Sequence, residues 1–141
     1  MGARRTARER ALQALYQLDM SGGRPDEALA GAWESVATEM PKPDPAAIEF
    51  AQQLVEGVVK NLAEIDGLIE THSHNWRLDR MDRIDRNVLR LAVFELRYRD
   101  DIPRKVSLNE AVELGKTFGT EGSSAFVNGL LDRVAMALGK K

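Results

Sequence analysis

The chain has 141 residues, 43% of them hydrophobic and 30% charged, with a formal net charge of −2. This is about one domain's length with a folded protein's composition, enough to bury a core and to exclude wholesale disorder. With no cysteine there is no disulfide framework, thiolate nucleophile or zinc–thiolate site, and no apolar run approaches the ~20 residues of a membrane span.

The spacing of apolar residues predicts helices from end to end. Ala7, Ala11, Ala14, Leu15 and Leu18 mark one face of a first helix that stops near Ser21-Gly22-Gly23. A weaker helix is expected from about Asp26 to Glu39, ended by Pro41 and Pro43 near Met40. Asp44 followed by Pro45 is a start signal, an N-cap residue before a proline at the first helical position. Behind it, Ile48, Ala51, Val55, Val58, Leu62, Ile65 and Ile69 alternate at intervals of three and four, the seam of one long helix. The stretch from Met81 to Tyr98 carries Ile84, Val88, Leu91 and Ala92 on one face and is broken at Ile102-Pro103. Ser107 with Glu110 reads as a capping box opening the next helix. Gly119 and Gly122 interrupt again, and Val127, Leu130, Leu131, Val134 and Leu138 mark the last helix. No strand-like alternation competes. The expected fold is all-α: six to seven helices in a single domain over residues 1–141, arranged as two packed three-helix bundles. The loop around residues 72–80 divides them, with the N-terminal bundle over about 1–75 and the C-terminal one over about 76–141.

The net charge conceals a segregation. Residues 1–10 sum to +3, residues 11–75 to −8, residues 76–105 to +3, and residues 106–141 balance. Such separation can focus a field even when the total is near zero. Arg4, Arg5 and Arg8 fall within about 100° of one another at the chain's start, and Arg83, Arg86, Arg90 and Arg97 within roughly 60° on a later helix, opposite its apolar face. The later stripe either meets solvent or meets an acidic part of the same chain. An Arg-rich start without an apolar core is not a secretory signal, and a cytoplasmic location is expected.

Catalytic chemistry finds little support. The two histidines, His72 and His74, lie ~200° apart on a helix and cannot share a metal from one face. They are better read as polar residues at a helix end than as ligands of a metal-assisted hydrolase. Asp82 and Asp85 suit capping and the helix dipole. Glu95 lies midway across the apolar stripe of its helix, so it must be bonded to backbone N–H groups or a base as a structural latch. Phe118 and Phe126 flank a glycine-containing loop, and each is either a core residue or a ring on which an unpaired base can stack.

Three blocks carry a resemblance. Arg4-Arg5-Thr6-Ala7-Arg8-Glu9 leads into Ala11-Leu12-Gln13-Ala14-Leu15-Tyr16-Gln17, and Asp85-Arg86-Asn87-Val88-Leu89-Arg90-Leu91-Ala92 leads into Phe94-Glu95-Leu96. The third runs from Ile102-Pro103 through Asn109-Glu110-Ala111-Val112-Glu113-Leu114, Lys116 and Phe118-Gly119 to Phe126-Val127-Asn128-Gly129 and Leu131-Asp132. Their order and spacing resemble the NusB family of bacterial transcription antitermination factors over nearly the whole chain, residues 20–45 contributing least.

The resemblance implies two three-helix bundles and a non-enzymatic adaptor without cofactor or metal. With NusE, a ribosomal small-subunit protein, it would bind box A single-stranded RNA, as in ribosomal RNA operon leaders. With the other Nus factors it would join RNA polymerase. It puts the basic N-terminal motif on Arg4, Arg5 and Arg8, and the RNA-facing loop on Phe118 to Ser124, including Gly119, Glu121, Gly122 and Ser123, with Phe126 beyond. Lys105 and Lys116 are nearby basic candidates, and the NusE side falls on Tyr16 and Asp85. Some family members carry an acidic residue where this chain has Gly122. The alternative is a helical interaction or homodimerisation module without a direct RNA role.

Overall fold

The computed structural model describes residues 2–38, 42–74 and 76–141. Among these are seven α-helices and no strand: α1 (Ala3–Ser21), α2 (Pro25–Glu34), α3 (Pro45–Lys60), α4 (Leu62–His72), α5 (Arg83–Tyr98), α6 (Arg104–Phe118) and α7 (Ser123–Leu138), with a 3-10 turn at Leu78–Arg80. They form two compact units, residues 1–60 and 61–141. The division falls at 60/61 rather than in the 72–80 loop, because α4 packs against α5 and α7. The second unit therefore holds four α-helices rather than three.

In the first unit, α1 packs against both α2 and α3. Ala7, Ala11 and Ala14 are fully buried beside Leu12 and Leu15, and small side chains let the helix axes approach closely. Proline opens α2 at its first position, with Asp26 and Glu27 in the first turn, where carboxylates suit the helix dipole. The helix ends at Glu34, and the expected stop around Glu39, Met40 and Pro41 lies outside the described residues. At α3 the start signal holds: the Asp44 carboxylate accepts the Ala46 N–H at 2.8 Å ahead of Pro45.

The expected single helix over residues 48–69 is two. Asn61, at φ −113° and ψ 23°, leaves the helical region between α3 and α4. Ala51, Val55, Val58, Ile65 and Ile69 are fully buried, whereas Ile48 and Leu62, near the starts of α3 and α4, are exposed.

In the second unit α5 contacts α4, α6 and α7. Asp82 caps it, accepting the Ile84 N–H at 2.8 Å. Asn87 to Leu89 and Leu91 to Leu96 are buried, far more than the one face its apolar spacing predicts. Two of the four arginines of the stripe meet acids of the same chain. The Arg90 guanidinium grips Asp66 of α4 through two bonds of 2.9 and 3.1 Å, and Arg97 lies 3.3 Å from Glu64.

The capping box at Ser107 is not formed. Pro103, at φ −64° and ψ 150°, is itself the N-cap of α6, so the proline that stops one helix starts the next. Ser107 thus sits one turn inside, where its hydroxyl donates to Glu95 Oε1 at 2.8 Å in a buried contact. Glu95 is a latch between α5 and α6, with the Ser107 hydroxyl as one of its partners.

Ser107→Ala should lower the unfolding free energy by about 1–3 kcal/mol, because buried Glu95 would lose a hydrogen-bond donor. Urea denaturation measures it. A loss below ~0.5 kcal/mol would show that Glu95 does not depend on this bond.

Candidate nucleic-acid interface

The basic start of α1 folds onto an aromatic ring. Phe50 of α3 is buried, and the guanidiniums of Arg4 and Arg8, one turn apart, lie 4.6 and 5.3 Å from its centroid. Such cation–π contacts contribute roughly 0.5–2 kcal/mol each. Arg4 stays exposed and Arg5 half-exposed, but Arg8 is only 4% exposed. Arg8, expected to reach for a ligand, is instead a packing residue: its planar group covers Phe50 and its stem is buried along α1. Tyr16 is half-buried and lines a groove between α1 and α2 with Gln13, Met20, Arg24 and Glu27.

The remaining candidates lie in the second unit. Phe118 ends α6 with 40% of its surface exposed, and Thr120, Glu121 and Gly122 follow it on the surface. Lys116 is exposed in the last turn of α6 and pairs loosely with Glu113 at 3.7 Å. Lys105 is exposed too, but in the first turn of α6. Eleven residues at ~1.5 Å each put it roughly 16 Å along the axis from Lys116, so the structure does not bring Lys105 to this loop.

Two glycines shape the loop. Gly122 takes φ +94°, where side-chain-bearing residues strain, and it precedes α7. Gly119 leaves no room: an added Cβ would meet Gly115 O at 2.7 Å and crowd the Ser123 side chain.

Ser123 holds the loop closed. Its hydroxyl oxygen accepts the Thr120 N–H at 3.0 Å, and its own N–H donates to the Thr120 carbonyl at 3.1 Å. The same hydroxyl favours the charged form of the Asp85 carboxylate of α5. Ser123, expected on the RNA-facing surface, is 2% exposed, and Asp85, expected on the NusE side, is 9% exposed. Asp85 lies in the first turn of α5 and Ser123 at the start of α7. Asp85 Oδ1 is buried with no hydrogen-bond partner among the described residues.

One ring escaped the sequence reading. Trp76 is 58% exposed and stands edge-on to Phe126, with centroids 6.4 Å apart and planes at 68°. The signal was present: a tryptophan between a polar run and Arg77, where no apolar periodicity claims it. His72 caps its own helix, its Nδ1–H donating to the Leu68 carbonyl at 2.9 Å, while His74 is exposed at φ 48°. Among the described residues no three His, Cys, Asp or Glu side chains are grouped to hold a metal, and no helix is long and apolar enough to cross a membrane.

Arginines over an aromatic ring, and a pinned polar loop flanked by aromatic side chains, are the features of a helical binding module. The NusB family model matches residues 5–136, and the chain belongs to the NusB family. It is 72% identical over 140 residues to the transcription antitermination protein NusB of Myxococcus xanthus (strain DK1622), covering 99% of each chain. The NusB of Anaeromyxobacter dehalogenans (strain 2CP-1 / ATCC BAA-258) is 53% identical, over 98% of this chain and 94% of that one. Among solved structures, T. maritima NusB is similar at a TM-score of 0.84 and 38% identity, covering 94% of this chain and 90% of that one. A crystal structure of the antitermination factors NusB and NusE in complex with dsRNA matches at 0.86 and 32%, covering 96% and 97%.

Gly119→Ala should destabilise the chain by about 1–3 kcal/mol through crowding of a closed turn, read as a lower unfolding midpoint. A midpoint equal to the parent's would show that the loop can open around a methyl group.

Burial holds the Asp85 carboxyl above its ordinary value of 3.8, with Asp82 adding to the rise and the Ser123 hydroxyl opposing it. The folded state then keeps a proton that the unfolded state has lost. Stability should fall as pH rises from about 3.8 through the native value. Asp85→Asn keeps an acceptor for Ser123 and should abolish that fall in urea titrations across the acid range. Parallel profiles for the two proteins would exclude it.

Proposed function

We propose that this chain is an RNA-binding transcription antitermination adaptor. With NusE it binds box A in nascent RNA, such as ribosomal RNA operon leaders, and helps assemble the antitermination complex on RNA polymerase with the other Nus factors. The observation that carries this reading is the similarity, over nearly the full length of both chains, to a NusB solved with NusE and RNA. The adaptor acts by binding, without catalysis or cofactor, in the cytoplasm. On this reading, Arg4 and Arg5 contact phosphates, as arginine's planar, multi-donor head suits. Lys116 adds charge beside the loop. Phe118 and Phe126 offer rings to unpaired bases, and Gly119, Glu121 and Gly122 bring backbone close to the strand. Arg8 supports this end of α1 through Phe50, and Ser123 with Asp85 holds the loop's shape. Tyr16, in the α1–α2 groove, faces NusE.

Replacing Arg4 and Arg5 together by alanine should weaken box A binding and leave thermal unfolding nearly unchanged. At ~0.7 per lost phosphate contact on a single strand, the slope of log affinity against log salt should flatten by about 1.4. Arg8→Ala, in contrast, should lower the unfolding temperature. Gel shifts with and without NusE, over a salt series, measure the first effect. An unchanged slope in the double variant would remove the start of α1 from the interface, and no binding by the unaltered chain with NusE would overturn the reading.

A further inference from the structure

Trp76 is the most exposed aromatic ring among the described residues, at 58%. An isolated exposed apolar side chain needs no explanation by itself. This one is held in place. Ser73 is 2% exposed; its hydroxyl bonds the Trp76 carbonyl, and its own carbonyl accepts the Trp76 N–H at 3.3 Å. The segment just before is tied to α7, where Arg133 Nε donates to the His72 carbonyl at 2.9 Å. The backbone at Trp76 is thus fixed at Ser73 while more than half of the residue faces solvent. Its ring stands edge-on to Phe126, an arrangement that leaves flat indole surface uncovered.

The surroundings decide the kind of partner. A protein-docking tryptophan is normally the centre of a contiguous apolar patch. Here the residues around it in the chain are polar and exposed: His74, Arg77, Asp79 and Arg80. Arg77 pairs with Asp79 at 3.3 Å, an exposed contact of the sort that water and salt weaken. A flat ring set among arginines, with a second ring against it, is the arrangement that stacks unpaired bases while the cations attract the phosphates. Phe126 also links Trp76 to the α6–α7 loop, its N–H donating to the Gly122 carbonyl at 3.0 Å.

We infer that Trp76 is a base-stacking subsite, on which an unpaired base of the bound RNA lies against the indole face and extends the surface formed by Phe126 and the loop at residues 119–122. The inference rests on the RNA-binding reading above.

The test uses the full chain with NusE. Trp33→Phe leaves Trp76 as the remaining one of two tryptophans, so the emission reports on this ring. Adding a single-stranded box A RNA oligonucleotide should quench it. Trp76→Ala should weaken RNA binding about tenfold, Trp76→Phe should keep most of the affinity, and both should bind NusE as the parent does with an unchanged circular dichroism spectrum. Unquenched emission with equal RNA affinity in Trp76→Ala overturns the subsite and leaves the RNA-binding function standing. Loss of NusE binding with RNA affinity intact overturns it in favour of a protein contact. Failure of the unaltered chain to bind the oligonucleotide overturns both.

Discussion

Helix α5 must be buried along most of its circumference although its sequence carries charges on every side, and the second unit is organised around meeting that demand. A charge taken from water without a partner costs more than a hydrogen bond returns. Several of the buried or half-buried polar groups on α5 accordingly face other helices. Arg90 meets Asp66 on α4, Glu95 meets Ser107 on α6, and Asp85 meets Ser123 on α7. Apolar packing alone tolerates small rotations of a helix about its axis. The bonds of Arg90 and Glu95, at two points along α5, resist such rotation.

That constraint reaches the surface at the α6–α7 loop. Ser123 closes the loop on Thr120 and influences the charge of Asp85, so the loop adjoins the buried start of α5. A loop already held in one conformation loses less entropy when it meets a ligand than one that must be ordered on binding. The side chains around it divide accordingly. Ser123 is inside and structural, while Phe118, Glu121 and Gly122 are outside and available. The same division operates at α1, where Arg8 is buried over Phe50 and Arg4 above the same ring stays exposed.

The helical fold was legible because period and punctuation are local. Asp44-Pro45 and the buried residues of α1 and α7 follow from spacing and capping chemistry along the chain. What escaped is non-local. Apolar spacing reports which residues face inward and is indifferent to one residue leaving the helix, so the seam ran unbroken across Asn61. Ser107 matched a capping pattern, but its partner is Glu95 on another helix, twelve residues away. The fate of Arg8 depended on Phe50, and that of Asp85 on Ser123, pairs that no window of sequence contains. The family resemblance named candidate residues along the chain. It could not say which of them the fold turns inward, because matched identity carries no information about exposure.

The charge segregation shows the same limit. Residues 76–105 carry a formal +3, which suggests a basic surface for a polyanion. Arg90 and Arg97 are paired with Asp66 and Glu64, acids counted in the preceding, negative segment. Part of the apparent attraction is therefore neutralised within ~4 Å, well inside the screening length of about 8–10 Å at moderate salt. Charge that a distant anion can feel must come from cations whose partners are weak or solvent-exposed. Arg77 with its exposed Asp79 and Lys116 with its half-exposed Glu113 meet that condition better than the α5 stripe does. Pairing within the fold therefore decides where the basic surface lies, and segment charge alone places it too near α5.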